Sequence, residues 1–302
     1  MTKFFQLLAS GAALGAIYAL VCLGFVVIFR ATGVINFAQA GLVVVGAFFV
    51  YNATFTWGLS FWVALLLGML FGAALGIIIE RLVLRRMTGQ PLHAILLVTV
   101  GVLLLVEPIV TTIWRNPQAS IETPFKLDRV QIGDVRILQL DVAAVVIGTI
   151  VLSAFFLFFR YTKYGVAMRA TAVDQEAALM QGINVNGIVA LSWAIAGVVA
   201  VLGGAMLGSG AGPKTGLSVG IGIIALKALP AMVLGGLDSP GGAVVGGMVI
   251  GISEVMASGY YADLAPDWLK PGFHLVLPWI VMLVVLFVRP YGLFGTKQVQ
   301  RL

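Results

Sequence analysis

Residues 5–29, FQLLASGAALGAIYALVCLGFVVIF, form an apolar run that contains no charged side chain. A helix that crosses the hydrocarbon core of a bilayer needs about 20 apolar residues. A secretory signal peptide has a shorter apolar region of about 7–15 residues, and this run is longer. The run therefore predicts a transmembrane helix that the mature protein retains.

The composition extends this prediction to the whole chain. Its 302 residues are 61% hydrophobic and 10% charged, with a mean hydropathy of +1.08, whereas globular proteins carry roughly 25% charged residues. A soluble fold could not cover so much apolar surface. The net charge of +6 suits cytoplasmic loops better than nucleic-acid binding. The single cysteine, Cys22, excludes an internal disulfide.

Apolar segments of spanning length recur along the chain. After 5–29, the candidate spans are 36–52, 61–79, 94–113, 141–159, 188–209 and 273–288. Between the last two lie a short piece, 222–235, and a fuller one, 242–258, with the Gly- and Pro-rich stretch LGGLDSPGG around their junction. The candidate hinge and turn residues there are Pro230, Gly235, Gly236, Pro240 and Gly241.

These segments predict the fold class and the domain organisation. We expect an all-α polytopic membrane protein, a bundle of about eight to nine transmembrane helices with one short or broken helix. The short piece survives at membrane depth only if protein or a water-filled cavity covers it. The whole chain, 1–302, forms a single transmembrane domain in this interpretation.

Basic residues predict the orientation of the bundle, because cytoplasmic loops collect Lys and Arg. They cluster in the linkers 80–92 and 160–187 and in the C-terminal tail, which we therefore place inside. The loop 114–140 mixes both signs and is expected outside, with a short hairpin. This order puts the N-terminus outside and the C-terminus inside.

Several kinds of enzyme chemistry lack the residues that they need. The two histidines, His93 and His274, fall on opposite sides of the predicted membrane, which excludes a zinc or haem site built on them. The stretch Gly208–Thr215 nearly spells a phosphate-binding P-loop, but Pro213 removes an N–H from the cradle and no strand precedes it. We therefore expect no metal site and no ATP site in this chain.

A few polar side chains fall within or beside the predicted spans. Glu107, Lys227 and Glu254 are ionisable, and charges in hydrocarbon normally face a bundle interior or an aqueous path. They are candidates for a translocation pathway, although both glutamates could instead lie near helix ends and reach the headgroups. Asn36 and Gln39 are polar at the start of a span and are further pathway candidates. An N-cap is the alternative for Asn36.

The longest polar stretch between spans is YTKYGVAMRATAVDQEAALMQGINVNG, residues 161–187. Its part 172–182 predicts one short helix that Gly182 ends as a C-cap. Ala178, Leu179 and Met180 would form its apolar side. Two interpretations remain open on periodicity alone: a connector that packs on lipid headgroups, or a docking helix for a cytoplasmic protein.

A resemblance favours the docking helix. Glu176-Ala177-Ala178-x-x-x-Gly182 resembles the loop of bacterial ABC-importer permeases that seats a coupling helix in a cleft of the ATPase subunit. Other strings resemble the branched-chain amino-acid permease family more narrowly, in an order and spacing that cover nearly the whole chain. They are residues 163–170 (KYGVAMRA), 182–184, 15–20 (GAIYAL), 35–38 (INFA), 233–236 with 241–242, and 289–295 (RPYGLFG).

The resemblance implies a transmembrane permease subunit of an ATP-driven importer in the bacterial inner membrane, with residues 161–187 as its cytoplasmic coupling loop. Partners would be a second homologous permease, two ATPase subunits that hold ATP-Mg, and a periplasmic binding protein; this chain would hold no cofactor and would not be an enzyme. The residues that it assigns to coupling are Glu176, Ala177, Ala178, Gly182, Ile183 and Asn184. It also allows two inverted halves.

Branched-chain amino acids are the first expectation for the solute, and urea, short amides or other amino acids are the alternatives within the family. Two departures bear on that choice: Gln39-Ala40 replaces the common His-Gly, and Glu107 is acidic. A stand-alone secondary transporter or channel is the rival from a different class. In it Glu107, Lys227 and Glu254 would form an ion-coupling path, but such a protein has no use for a docking helix.

Overall fold

The computed structural model describes residues 2–114, 120–125, 128–132, 135–210, 216–264 and 273–295. Helices account for most of these residues, and a 3-10 turn at Leu84–Met87 follows the third helix. The helices are α1 Thr2–Thr32, α2 Ala38–Phe55, α3 Phe61–Leu82, α4 Leu92–Trp114, α5 Gln139–Tyr161, α6 Lys163–Val173, α7 Gln175–Met180, α8 Val185–Gly208, α9 Ile221–Leu226, α10 Ala228–Gly235, α11 Pro240–Leu264 and α12 Phe273–Val288.

Within the described residues, 7 helices are long and apolar enough to cross a membrane: α1, α2, α3, α4, α5, α8 and α11. Two shorter apolar stretches, Ile221–Gly235 and Leu275–Val288, complete the set. The prediction of an all-α polytopic protein with one broken helix is confirmed. The N-terminal apolar run is part of α1, so it belongs to the bundle.

α1 lies at the centre of the bundle. Every residue from Ala13 to Ile28 is buried, and α1 packs against α5, α8, α10 and α11. A helix that is covered on all sides must be apolar all round, as this sequence is. Its closest approach is to α11, where a Cβ added at Gly251 would overlap the backbone of Gly15. Small residues at such contacts allow the helix backbones to approach closely.

The short apolar piece is broken at Lys227, which lies between α9 and α10. The Lys227 N–H donates to the Ile224 carbonyl at 3.0 Å, three residues back, so the last turn of α9 tightens. Most residues of α10 are buried, which satisfies the requirement that protein covers a short element at membrane depth. Pro230, a predicted turn residue, lies in the first turn of α10, where a proline is tolerated.

The turn between α10 and α11 contains the other four predicted hinge residues. Gly235 ends α10, and Gly236 follows with a positive φ of 108°, a conformation that favours glycine. Pro240 is the first residue of α11, the position where a missing N–H costs no helical hydrogen bond, and Gly241 follows it. The Leu293 and Phe294 N–H groups donate to the Leu234 and Gly235 carbonyls at 2.8 and 3.0 Å, which closes the end of α10.

A two-stranded antiparallel hairpin precedes α5. Strands β1, Arg129–Ile132, and β2, Val135–Leu138, pair in the register Val130 with Ile137. The hairpin expected in the loop 114–140 is therefore confirmed.

Candidate functional site

The polar segment forms two helices, α6 and α7, where the sequence predicted one short helix over 172–182. Asp174 separates them in an extended conformation, and its Oδ1 accepts hydrogen bonds from the Glu176 and Ala177 N–H groups at 2.9 and 3.0 Å. An aspartate that caps α7 in this way cannot also continue α6. The prediction of one continuous helix over 172–182 is therefore wrong, because Asp174 interrupts it. We call residues 161–187 the coupling segment, after the role that the resemblance implies for them.

The end of α7 follows the sequence closely. Gly182 has a positive φ of 78°, and the Ile183 N–H donates to the Ala178 carbonyl at 3.0 Å, the pattern of a glycine C-cap. Asn184 then caps α8, because its Oδ1 accepts from the Gly187 N–H at 3.0 Å. Gly182 and Asn184 thus join α7 to the spanning helix α8 through a short connection.

The outer surface of α7 is exposed and partly apolar. Ala178 is buried, whereas Glu176 and Ala177 are exposed and Met180 is 85% exposed. Ala178 therefore does not share an apolar side with Leu179 and Met180, which point outward, and that part of the prediction is wrong. At the other end, the Gln175 Nε2 donates to the Ala31 carbonyl of α1 at 2.9 Å. The coupling segment therefore contacts the central helix directly.

Lys227 and Glu254 pair with each other. The Lys227 Nζ lies 2.5 Å from the Glu254 Oε1, and the Tyr18 hydroxyl donates to the Glu254 Oε2 at 2.8 Å. All three residues are buried. The pair ties the break between α9 and α10 to α11 and α1. Buried charges are normally paired in this way.

Glu107 has a different environment. It lies on α4, seven positions before Trp114, and its side chain is exposed beside Leu104, which is 69% exposed. Its carboxylate makes no hydrogen bond or ion pair with another described residue. The structure does not bring Glu107 together with Lys227 and Glu254, and it does not place Glu107 in the interior of the bundle.

Asn36 and Gln39 are both buried at the start of α2. The Asn36 Oδ1 accepts from the Ala38 N–H, the first N–H of α2, at 3.0 Å, but the N-cap position itself is occupied by Phe37, so the N-cap interpretation of Asn36 is wrong by one residue. The Gln39 Nε2 donates to the Ala196 carbonyl of α8 at 3.1 Å. The Asn36 Nδ2 and Gln39 Oε1 have no partner among the described residues.

A cavity of about 220 Å³ lies on the side assigned to the cytoplasm, between α1, α3, α4, α7, α8 and the connection that precedes α2. Asn36, Trp193 and Gln175 are among its lining residues, with the ion pair of Glu80 and Arg85. The sequence analysis missed Glu80, Arg85 and Trp193 as site residues. Glu80 and Arg85 lie five positions apart, on either side of the end of α3. Side chains that meet on a helix are three or four positions apart, so the spacing in the sequence did not indicate this contact.

The sequence comparisons find permeases of branched-chain amino-acid transport. The family described as "Branched-chain amino acid transport system / permease component" matches residues 7–286. The high-affinity branched-chain amino acid transport system permease protein LivH of Escherichia coli (strain K12) is 26% identical over 99% of this chain and 97% of its own. The corresponding BraD of Pseudomonas aeruginosa is 26% identical over 99% and 98%.

One further relative and one solved structure were also found. The probable branched-chain amino acid transport permease protein LivH of Methanocaldococcus jannaschii is 29% identical over 94% of this chain and 90% of its own. The structure of PsaBC from Streptococcus pneumoniae in complex with Fab aligns over 96% of this chain and 93% of that chain, with 16% identity and a TM-score of 0.48.

The family match covers most of the chain, and the relatives align with it from end to end. With its apolar helices, this indicates a multi-pass protein of the bacterial inner membrane. The chain belongs to the family of branched-chain amino-acid transport permease components.

Proposed function

We propose that this chain is a transmembrane subunit of an ATP-driven importer that takes up branched-chain amino acids. The observation that carries the proposal is the coupling segment: a capped helix, α7, exposes Glu176 and Met180 at the end assigned to the cytoplasm and is tied to α1 and α8. A separate ATPase subunit would seat this helix and hold ATP-Mg. In this proposal the chain itself neither binds nor hydrolyses ATP.

The contacts of α7 suggest how force would pass into the bundle. The Gln175 side chain donates to the carbonyl of Ala31 on α1, and Asn184, two residues after Gly182, caps α8. A displacement of α7 would therefore move the ends of two buried helices together. A second homologous permease and a periplasmic binding protein that delivers the solute complete the proposed assembly.

The rival from another class, a stand-alone ion-coupled transporter, gains little support from the ionisable residues. Lys227 and Glu254 neutralise each other, and Glu107 lies on a different surface. A continuous ion path through the three side chains has no geometric basis among the described residues.

The test is uptake of labelled leucine at submicromolar concentration by cells that carry Glu176→Lys. We expect uptake to fall to the level of the gene deletion while the protein remains inserted, because reversed charge on α7 opposes docking in the ATPase cleft. Gln90→Lys is the control: it introduces the same side chain, with a smaller change in charge, at an exposed position on the same side, outside the coupling segment. Normal uptake by Glu176→Lys would refute the proposal.

Energy source and solute are tested in the same cells. Depletion of ATP by arsenate should abolish uptake, and excess isoleucine or valine should compete with leucine. Uptake that survives ATP depletion would favour a secondary transporter. If deletion leaves leucine uptake unchanged, the assay is repeated with urea, short amides and other amino acids, the alternatives for the same type of permease.

A further inference from the structure

Two of the side chains that line the cavity beside α7 carry buried hydrogen-bond donors. Asn36 and Trp193 both line it and are each 1% exposed. The Asn36 Nδ2 and the Trp193 Nε1 have no partner among the described residues. A buried donor without an acceptor is costly, so each of these two needs a partner, and a water or a ligand in the adjoining cavity could supply it.

The same cavity contains both charges and an apolar wall. The Arg85 Nε and Nη2 donate to the two Glu80 oxygens at 2.9 and 2.8 Å, and the side chains are 37% and 3% exposed. Ile28, Ile95 and Val189 supply apolar surface. The volume of about 220 Å³ exceeds by several times the roughly 30 Å³ that one water molecule occupies in the liquid.

We propose that this cavity binds one free amino acid with an aliphatic side chain, as an exit site at the cytoplasmic end of the bundle. The carboxylate of the ligand would accept hydrogen bonds from Asn36 and Trp193, and its ammonium group would face the Glu80 carboxylate. Its side chain would pack on the apolar wall. This assignment rests on the proposed function for the choice of an amino acid over another zwitterion.

The cavity also contacts the coupling segment. Gln175, the first residue of α7, lines it and is hydrogen-bonded to Ala31, which lines it as well. A ligand bound in the cavity would therefore affect the position of α7. The site thus connects release of the solute to the helix that receives force from the ATPase.

The test is equilibrium binding of tritiated leucine to the full chain in lipid nanodiscs, purified with any subunits that remain attached, without binding protein or ATP. We expect saturable binding that Trp193→Phe and Asn36→Asp each weaken about tenfold or more, since each removes one donor to a charged group. Trp193→Phe keeps an aromatic ring, and Asn36→Asp keeps a side-chain oxygen that can accept from the Ala38 N–H. Isoamylamine, which is leucine without its carboxylate, should compete poorly.

Trp57→Phe is the matched control, because Trp57 is half exposed beyond the other end of α2 and should leave binding unchanged. Equal thermal unfolding of all variants excludes a folding defect. No saturable binding, or binding that neither cavity variant weakens, overturns the assignment. Glu176→Lys separates the two proposals: it should abolish uptake by cells and leave leucine binding intact. Normal uptake by a chain that shows no leucine binding would overturn the exit site alone.

Discussion

Helices α1 and α4 are both long, apolar spans, yet they occupy opposite environments. α1 is buried continuously from Ala13 to Ile28, whereas only Thr99 and Val110 are buried on α4. In a soluble protein both helices would have to be buried, whereas lipid is as apolar as a leucine side chain and can cover an exposed helix such as α4 at no cost. Hydrophobicity therefore predicts which segments cross the membrane and does not predict which of them forms the core.

The two intramembrane glutamates show the same contrast at the level of single residues. Glu254 accepts from Lys227 and from Tyr18 of α1, and all three side chains are buried. Glu107 is exposed on α4 among exposed leucines. The buried carboxylate of Glu254 therefore has partners within the chain, whereas the exposed carboxylate of Glu107 has none among the described residues. The comparison can be tested by making the same substitution at both positions.

The largest effect is expected for Glu254→Leu. It leaves the Lys227 ammonium buried without a counter-charge, and loss of one partner of a buried ion pair costs about 3–5 kcal/mol in the free energy of unfolding. Reversible unfolding of the purified chain in mixed micelles measures this change. The double variant Lys227→Met/Glu254→Leu is the control and should recover most of the lost stability, because it removes both charges.

Tyr18→Phe should have a smaller effect in the same assay. The substitution removes the single hydrogen bond from the hydroxyl to Glu254 and keeps the ring within the core. A hydrogen bond to a charged group contributes about 1.5–3 kcal/mol. In the Lys227→Met/Glu254→Leu background the acceptor is absent, so Tyr18→Phe should then cost clearly less. An equal cost in both backgrounds would show that Tyr18 acts through packing.

The sequence predicted much of the fold because transmembrane length is a local property. The spans, the broken helix at 222–235 and the hairpin in 114–140 all follow from runs of residue types that a single segment contains. Gly182 as the end of α7 was predictable for the same reason, since a glycine C-cap depends on residues next to it.

The arrangement around the candidate sites was not predictable from one sequence. Glu254 and Tyr18 are 236 positions apart, and their contact depends on how α1 packs against α11. In helices that are apolar on every side, no polar face indicates which direction points inward. The break at Asp174 was missed for a different reason: an aspartate favours both the first turn of a helix and its N-cap.

The smallest effect on stability is expected for Glu107→Leu. This substitution tests the contrast between Glu254 in the core and Glu107 at the periphery. The Glu107 carboxylate has no partner among the described residues, and a leucine on a lipid-facing surface is at least as favourable as a glutamate. We expect the free energy of unfolding of the isolated chain to fall by no more than about 0.5 kcal/mol. Glu254→Leu, measured in parallel, is the same chemical change in the core.

A comparable loss of several kcal/mol at both positions would mean that Glu107 also has a partner within the folded chain, and the contrast between core and periphery would fail. If the isolated Glu107→Leu chain is stable but no longer copurifies with its companion subunits, the carboxylate is used between chains. In that case Glu107 would meet a hydrogen-bond donor or a cation of another subunit at membrane depth, where an unpaired charge costs at least about 2.5–3.5 kcal/mol.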